Sequence, residues 1–167
     1  MVGPRGPVGQ PGPAGPIGPS GLGGIIDFAD FFALMPPDNA TTVAVGGDVD
    51  FPQDGPSSGS GLITRSGISI DSFNLAEIGI YQVFFQVSAT EAGQLILTLN
   101  GAELPYTVVG RATGTSQIIG MALVETTVSN SILTVRNPAG NSTALTITPF
   151  AGGTRPVSAH LVITRIQ

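Results

Sequence analysis

Few residues in this chain have the type and spacing to do chemistry. Gly55-Pro56-Ser57-Ser58-Gly59 has the G-x-S-x-G spacing of a nucleophile elbow. That elbow works where a strand turns sharply into a helix, which lifts the serine hydroxyl towards a histidine base. Here the motif lies in a proline-containing loop with no helical pattern after it, and His160 is the single histidine available as base. The chain therefore reads as a non-enzyme. His160 falls in an apolar run near the end of the sequence, where its ring is either a packed side chain or a pH-responsive contact between copies. Asp48, Asp50 and Asp54 crowd a glycine-rich loop. Spaced carboxylates among free carbonyls can hold calcium, but no glutamate closes this loop as in an EF-hand, so solvated loop acids stand beside a weak calcium site as readings. Asn39-Ala40-Thr41 and Asn141-Ser142-Thr143 have the N-glycosylation pattern. Phosphate loops, dinucleotide fingerprints and Cys/His zinc patterns are absent, and no cofactor is expected.

Composition narrows the partners. The chain has 167 residues, no cysteine, no tryptophan and six basic residues, all arginine. Charged residues make up 10%, against about 25% in an average domain. Hydrophobic residues make up 41% and the mean hydropathy is +0.34. So apolar a surface needs covering by an oligomer. The net charge of -5 leaves no basic footprint for nucleic acid. No apolar run reaches the ~18 residues of a membrane-spanning helix, so no membrane partner is expected. Met1 opens directly into a repeat with no leader before it, and the sequence is expected to be a piece of a longer protein.

That repeat is the strongest local signal. Gly3, Gly6, Gly9, Gly12, Gly15, Gly18 and Gly21 fall at every third position, with six prolines among them. This is the register of a collagen triple helix, in which three chains cross one axis and only glycine fits at each crossing. Residues 3–23 make a stalk of ~65 Å at about 3.1 Å per residue. Five of its prolines occupy the second triplet position and one, Pro11, the third. Animal collagens favour hydroxyproline at the third position, so the pattern points to a collagen made without a hydroxylase, in a bacterium or virus.

The remainder, residues 24–167, reads as one β domain. Phe28–Met35 predicts a short strand ended by Pro36-Pro37, and residues 46–61 predict a loop. Strands are expected at Ile68–Ile70, Ile78–Val87, Gln94–Leu99, Ala102–Val109, Ser116–Thr126, Ser131–Arg136, Ala144–Thr148 and Val157–Ile166. Asn100-Gly101 between apolar runs signals a hairpin, because both turn positions need positive φ. Ile78–Val87 and Val157–Ile166 have lost alternation and predict strands buried on both faces. Gln94–Leu99 and Ala144–Thr148 keep polar positions and predict an outer sheet, with Thr98 at its surface. Eight to ten short strands at this spacing describe an all-β sandwich or jelly roll.

Phe73-x5-Gly79-x-Tyr81-x-Val83-x-Phe85 resembles the F-x5-G-x-Y-x-F-x-[FY] core of the C1q/TNF-like superfamily, with Val83 at an aromatic position and Ser66 where a further aromatic is usual. Val157-Ser158-Ala159-His160-Leu161 is similar to the family's F-S-G-[FY]-L strand with three substitutions. The Phe28-x-x-Phe31 opening after the repeat and the Thr/Val/Gly-rich head resemble bacterial collagen-like surface proteins, notably the BclA-type exosporium glycoproteins of spore-formers. Collagen-plus-head architectures also occur in phage tail proteins. The resemblance implies a ten-stranded jelly roll, a homotrimer about a threefold axis, and a head that nucleates the triple helix. It implies no catalytic residue. Phe28, Phe31, Tyr81, Phe85, Leu133 and Leu161 are expected at the subunit interface or in the inner core. The function implied is a structural surface filament on a spore or cell, with surface-layer proteins or glycans as further partners. The alternatives are a trimeric binding or adhesion module and a phage tail-fibre protein on a virion surface.

Overall fold

The computed structural model describes residues 1–7, 9, 10, 12, 24–40, 42–148 and 154–167, with the side chains of 157 and 158 excepted. Gly15, Gly18 and Gly21 lie outside the described residues; Gly3, Gly6, Gly9 and Gly12 are exposed. Eleven strands follow in chain order: β1 Asp27–Met35, β2 Gln53–Ser57, β3 Ile63–Arg65, β4 Phe73–Leu75, β5 Gly79–Ala89, β6 Gly93–Leu99, β7 Ala102–Glu103, β8 Val109–Arg111, β9 Ser116–Thr126, β10 Ser131–Arg136 and β11 Val157–Arg165. A five-stranded sheet has the order β2-β1-β11-β5-β9, and a second sheet has the order β3-β4-β10-β6-β7 with β8 also paired to β6. All of these pairings are antiparallel, and the two sheets enclose one core, which makes the chain a jelly-roll sandwich.

The core is aromatic at its centre. Phe31 from one sheet and Phe73 from the other have ring centroids 4.4 Å apart, and Phe51 meets Phe73 edge-on at 6.1 Å. Tyr81, Phe85, Leu95, Leu97, Leu133, Leu161 and Ile163 complete it. Two glycines keep it closed. A Cβ on Gly79 would collide with the Gln167 carbonyl oxygen, and one on Gly120 would collide with the Phe85 ring. Gly79 thus lets the last residues cross the start of β5, where Ile80 N–H donates to Gln167 O at 2.9 Å.

Several sequence expectations need correction. The loop expected at 46–61 contains β2, an edge strand that holds Pro56 because an outer edge needs no donor there. Ile68–Ile70 is loop, and its place in the sheet goes to β4. Pro105 divides Ala102–Val109 into β7, a 3-10 turn at Pro105–Thr107, and β8. Ala144–Thr148 makes only isolated bridges, Leu145 to Val43 and Ile147 to Ala89. Asn100-Gly101 does form the hairpin turn between β6 and β7, with φ of 52° and 81°.

The strands run between two ends of the sandwich. Residues 24–27, 76–79, 126–131 and 165–167 share the stalk end; 90–92, 112–115 and 137–144 lie at the far end.

Candidate assembly surface

Along β5 the burial alternates although the sequence does not. Tyr81, Val83, Phe85 and Val87 enter the core, while Ile80, Gln82, Phe84 and Gln86 face away from it and stay half-buried. The sequence pattern is lost because the second face is itself apolar. Strand register extends that face across the sheet. Phe28 pairs with Thr164, Thr164 with Gln82, and Gln82 with Leu123. The next row is Asp30, Val162, Phe84 and Met121, followed by Phe32, His160, Gln86 and Ile119. β9 is a free sheet edge, and its outward Ile119, Met121 and Leu123 are 52%, 65% and 54% exposed. Exposed Tyr106 and Val108 flank that edge, with Tyr106 Oη donating to Leu123 O at 3.0 Å. Gln82 Nε2 lies 3.0 Å from Met121 Sδ, turning its amide onto the face.

Of the six residues expected at an interface or inner core, Phe31, Tyr81, Phe85, Leu133 and Leu161 are buried in the core of the single chain. Phe28 instead lies on the open face, 40% exposed. Leu133 belongs to the other sheet, away from that face. Sequence reasoning missed Phe84, Val162, Ile119, Met121 and Leu123. The signal was available: Ser116–Thr126 carries apolar residues at both even and odd positions, which a strand with one solvated face does not need.

His160 and Asp30 are the titratable groups in the middle rows of this face. His160 meets the Phe32 ring edge-on, with centroids 5.8 Å apart. Asp30 lies across Gly55, whose missing side chain makes room for it. Burial raises the Asp30 pKa, and the nearby His160 partly offsets that rise. Asp30 Oδ1 is buried without a hydrogen-bond partner.

The other candidate residues have structural roles. Ser57 sits on an extended edge strand, not at a strand-to-helix turn, so its position lacks the geometry of a nucleophile elbow. Asp48 takes a two-pronged bond from Arg136 (Nε 2.8 Å, Nη2 2.9 Å) and a third from Thr134 Oγ1 at 2.8 Å. The hydrogen bonds to Asp48 raise the Arg136 pKa. Asp54 pairs with Arg65 at 2.8 Å, and Asp50 is held through its backbone by the Asn39 amide. The loop acids are thus drawn to separate partners, and no group of three metal-ligating side chains occurs among the described residues. Asn141 Nδ2 donates to Asn137 Oδ1 at 2.6 Å. A cavity of about 400 Å³ opens between β2 and β3, and Arg65 lines it while bonded to Asp54 and Gln53 O. The Arg65 guanidinium lies 5.0 Å from the Phe31 ring centroid and 5.7 Å from that of Phe73, so it caps the core there.

Neither family models nor curated protein sequences match this chain. Solved structures do. The globular domain of zebrafish complement 1qA protein matches with a TM-score of 0.54 at 10% identity, covering 83% of this chain and 94% of that one. Eiger TNF from S. frugiperda matches at 0.56 and 14% identity, over 83% and 90%. The PRD1 vertex protein P5 matches at 0.54 and 18% identity, over 86% and 98%. At such identities the likeness resides in the fold alone: with two antiparallel sheets in this order, the chain has a jelly-roll fold like that of the C1q and TNF domains.

Proposed function

We propose that this chain is the trimeric head and stalk root of a collagen-like surface filament, and that its work is structural. One observation carries the reading: among the described residues, the outer face of the five-stranded sheet leaves Phe28, Ile119, Met121 and Leu123 exposed, in a chain that begins with a glycine-every-third-residue repeat. The repeat supplies the number of copies, because a collagen helix takes three chains. Threefold assembly is heterologous, so each copy must offer two different patches. The sheet face with Phe28, Phe84 and Val162 is one. The β9 edge with Ile119, Met121 and Leu123, flanked by Tyr106, is the other. Burying each such side chain fully contributes about 1.5–3 kcal/mol relative to full exposure. Joining three heads also brings three stalks to high effective concentration before they wind.

The outer layer of a spore or cell is the setting that the bacterial collagen-like resemblance favours. A vertex protein shares the fold, which supports display on a virion as the second reading. Sedimentation equilibrium of residues 24–167 tests the assembly. Three chains at micromolar concentration are expected, and a stable monomer overturns the proposal.

A further inference from the structure

The stalk end carries a second apolar surface. Ile25, Ile26, Ile78 and Val128 are 68%, 49%, 54% and 54% exposed in the single chain. They come from three separate segments. Ile26 N–H donates to Arg165 O and Ile166 N–H to Ile80 O, both at 2.9 Å, so the sheet's pairing continues outward past Asp27. Ile78 immediately precedes β5, and its carbonyl accepts from Arg165 Nη2 at 3.1 Å. Gly79 pairs with Thr126, which brings the turn holding Val128 alongside. The flanking charges, Glu77 and Arg165, neutralise each other at 2.5 Å. Single exposed aliphatic residues are ordinary, whereas four gathered at one end call for a cover.

Where the chain goes identifies that cover. Gly24-Ile25-Ile26 keeps the glycine period of the repeat, since Gly24 follows Gly21 by three. β1 begins at Asp27, so no linker separates the last triplet from the first strand. Glycine at each third position must approach the common axis, which draws the three chains together at Gly24. Ile25 and Ile26 of one copy then stand beside the stalk ends of the other two heads.

We infer that Ile25 and Ile26 of each copy pack on Ile78 and Val128 of a neighbouring copy, forming an apolar collar that fixes the stalk rigidly to the head. The inference rests on the trimer reading and adds the route by which register passes from head to stalk. A linker would let the two parts melt independently; the collar makes winding of the stalk depend on contacts made by the head.

The test uses the whole chain and three variants: Ile25→Ser with Ile26→Ser, Ile78→Ser with Val128→Ser, and all four changes together. Sedimentation gives the number of chains, and the triple-helix circular-dichroism band followed from 4 °C upward gives the stalk transition. Each pair should leave the trimer intact and lower the stalk transition by several degrees. The fourfold variant should fall little further, because both pairs remove one shared contact. The Ile78/Val128 pair lies outside the repeat, so its effect cannot come from altered triplet sequence. A trimer whose stalk transition is unmoved by that pair, or shifts that simply add, overturns the collar alone. An unaltered chain that sediments as a monomer overturns the trimer and the collar together.

Discussion

The two sheets of the sandwich finish their outward faces in opposite ways. On the six-stranded sheet the centre of the outward face is polar and satisfied within the chain. Thr98 Oγ1 and Thr134 Oγ1 lie 2.7 Å apart, Thr134 Oγ1 also donates to Asp48, and Arg136 reaches over to grip the same carboxylate. The loop carrying Asp48 is thereby pinned across the sheet, and Thr98 is fully buried beneath it. On the five-stranded sheet nothing among the described residues crosses the equivalent surface, and Phe28, Leu34, Ile119, Met121 and Leu123 are exposed. Hydrogen-bonding groups can be satisfied by a single loop of the right reach. An apolar face of four strands needs another surface of similar size, which under the proposed assembly two more copies of the same chain would supply.

Breaking the apolar side should have the larger effect. Leu123→Arg places a charge where a neighbouring copy is to pack, and an unpaired charge buried at an interface costs several kcal/mol. Residues 24–167 carrying this change should sediment as folded monomers, while Thr64→Arg, on an exposed position of the other sheet, should stay trimeric. A Leu123→Arg trimer of unchanged affinity would falsify the assignment of the β9 edge to the interface.

Breaking the polar side should weaken the fold and spare the stoichiometry. Asp48→Ala strands Arg136 and removes the acceptor of Thr134. Losing one member of a largely buried pair costs about 3 kcal/mol. Thr98→Ala removes one buried hydroxyl bond and should cost about 1 kcal/mol. Both should appear in the denaturation midpoint, with three chains still present by sedimentation below it. Dissociation of the Asp48→Ala trimer at concentrations where the unaltered head stays assembled would mean the two faces are not independent.

The smallest effect concerns Asp30. Its folded-state pKa is raised by burial, with His160 opposing, so its contribution to stability is present at acid pH and is lost as pH rises through that raised value. Asp30→Asn removes the desolvated charge. The variant should melt slightly higher than the unaltered chain at about pH 7.5, and the gap should close near pH 3, where both are neutral. A gap of equal size at both pH values would point to shape instead of charge.

Much of this was legible in the sequence. Asn100-Gly101 gave a hairpin, and the Phe73-to-Phe85 pattern gave the place of a central strand. What escaped has physical causes. β2 reads as loop because Gly55 and Pro56 interrupt it, which only an edge strand tolerates. Thr98 reads as a surface residue because a threonine on an outward face is usually solvated; instead it is buried, its hydroxyl joined to Thr134, which donates to Asp48. The open face was hidden in Ser116–Thr126 because apolar residues facing the core and apolar residues facing outward look alike until pairing register separates them.

The far-end loops then acquire a particular freedom. Ala112 and Thr113 are exposed, stand opposite the stalk, and take no part in either outward face. Substitutions there touch neither the core nor the assembly patches, so they can accumulate with little loss of stability. In a lineage under pressure to change what its surface presents, mutations would be tolerated first at this end.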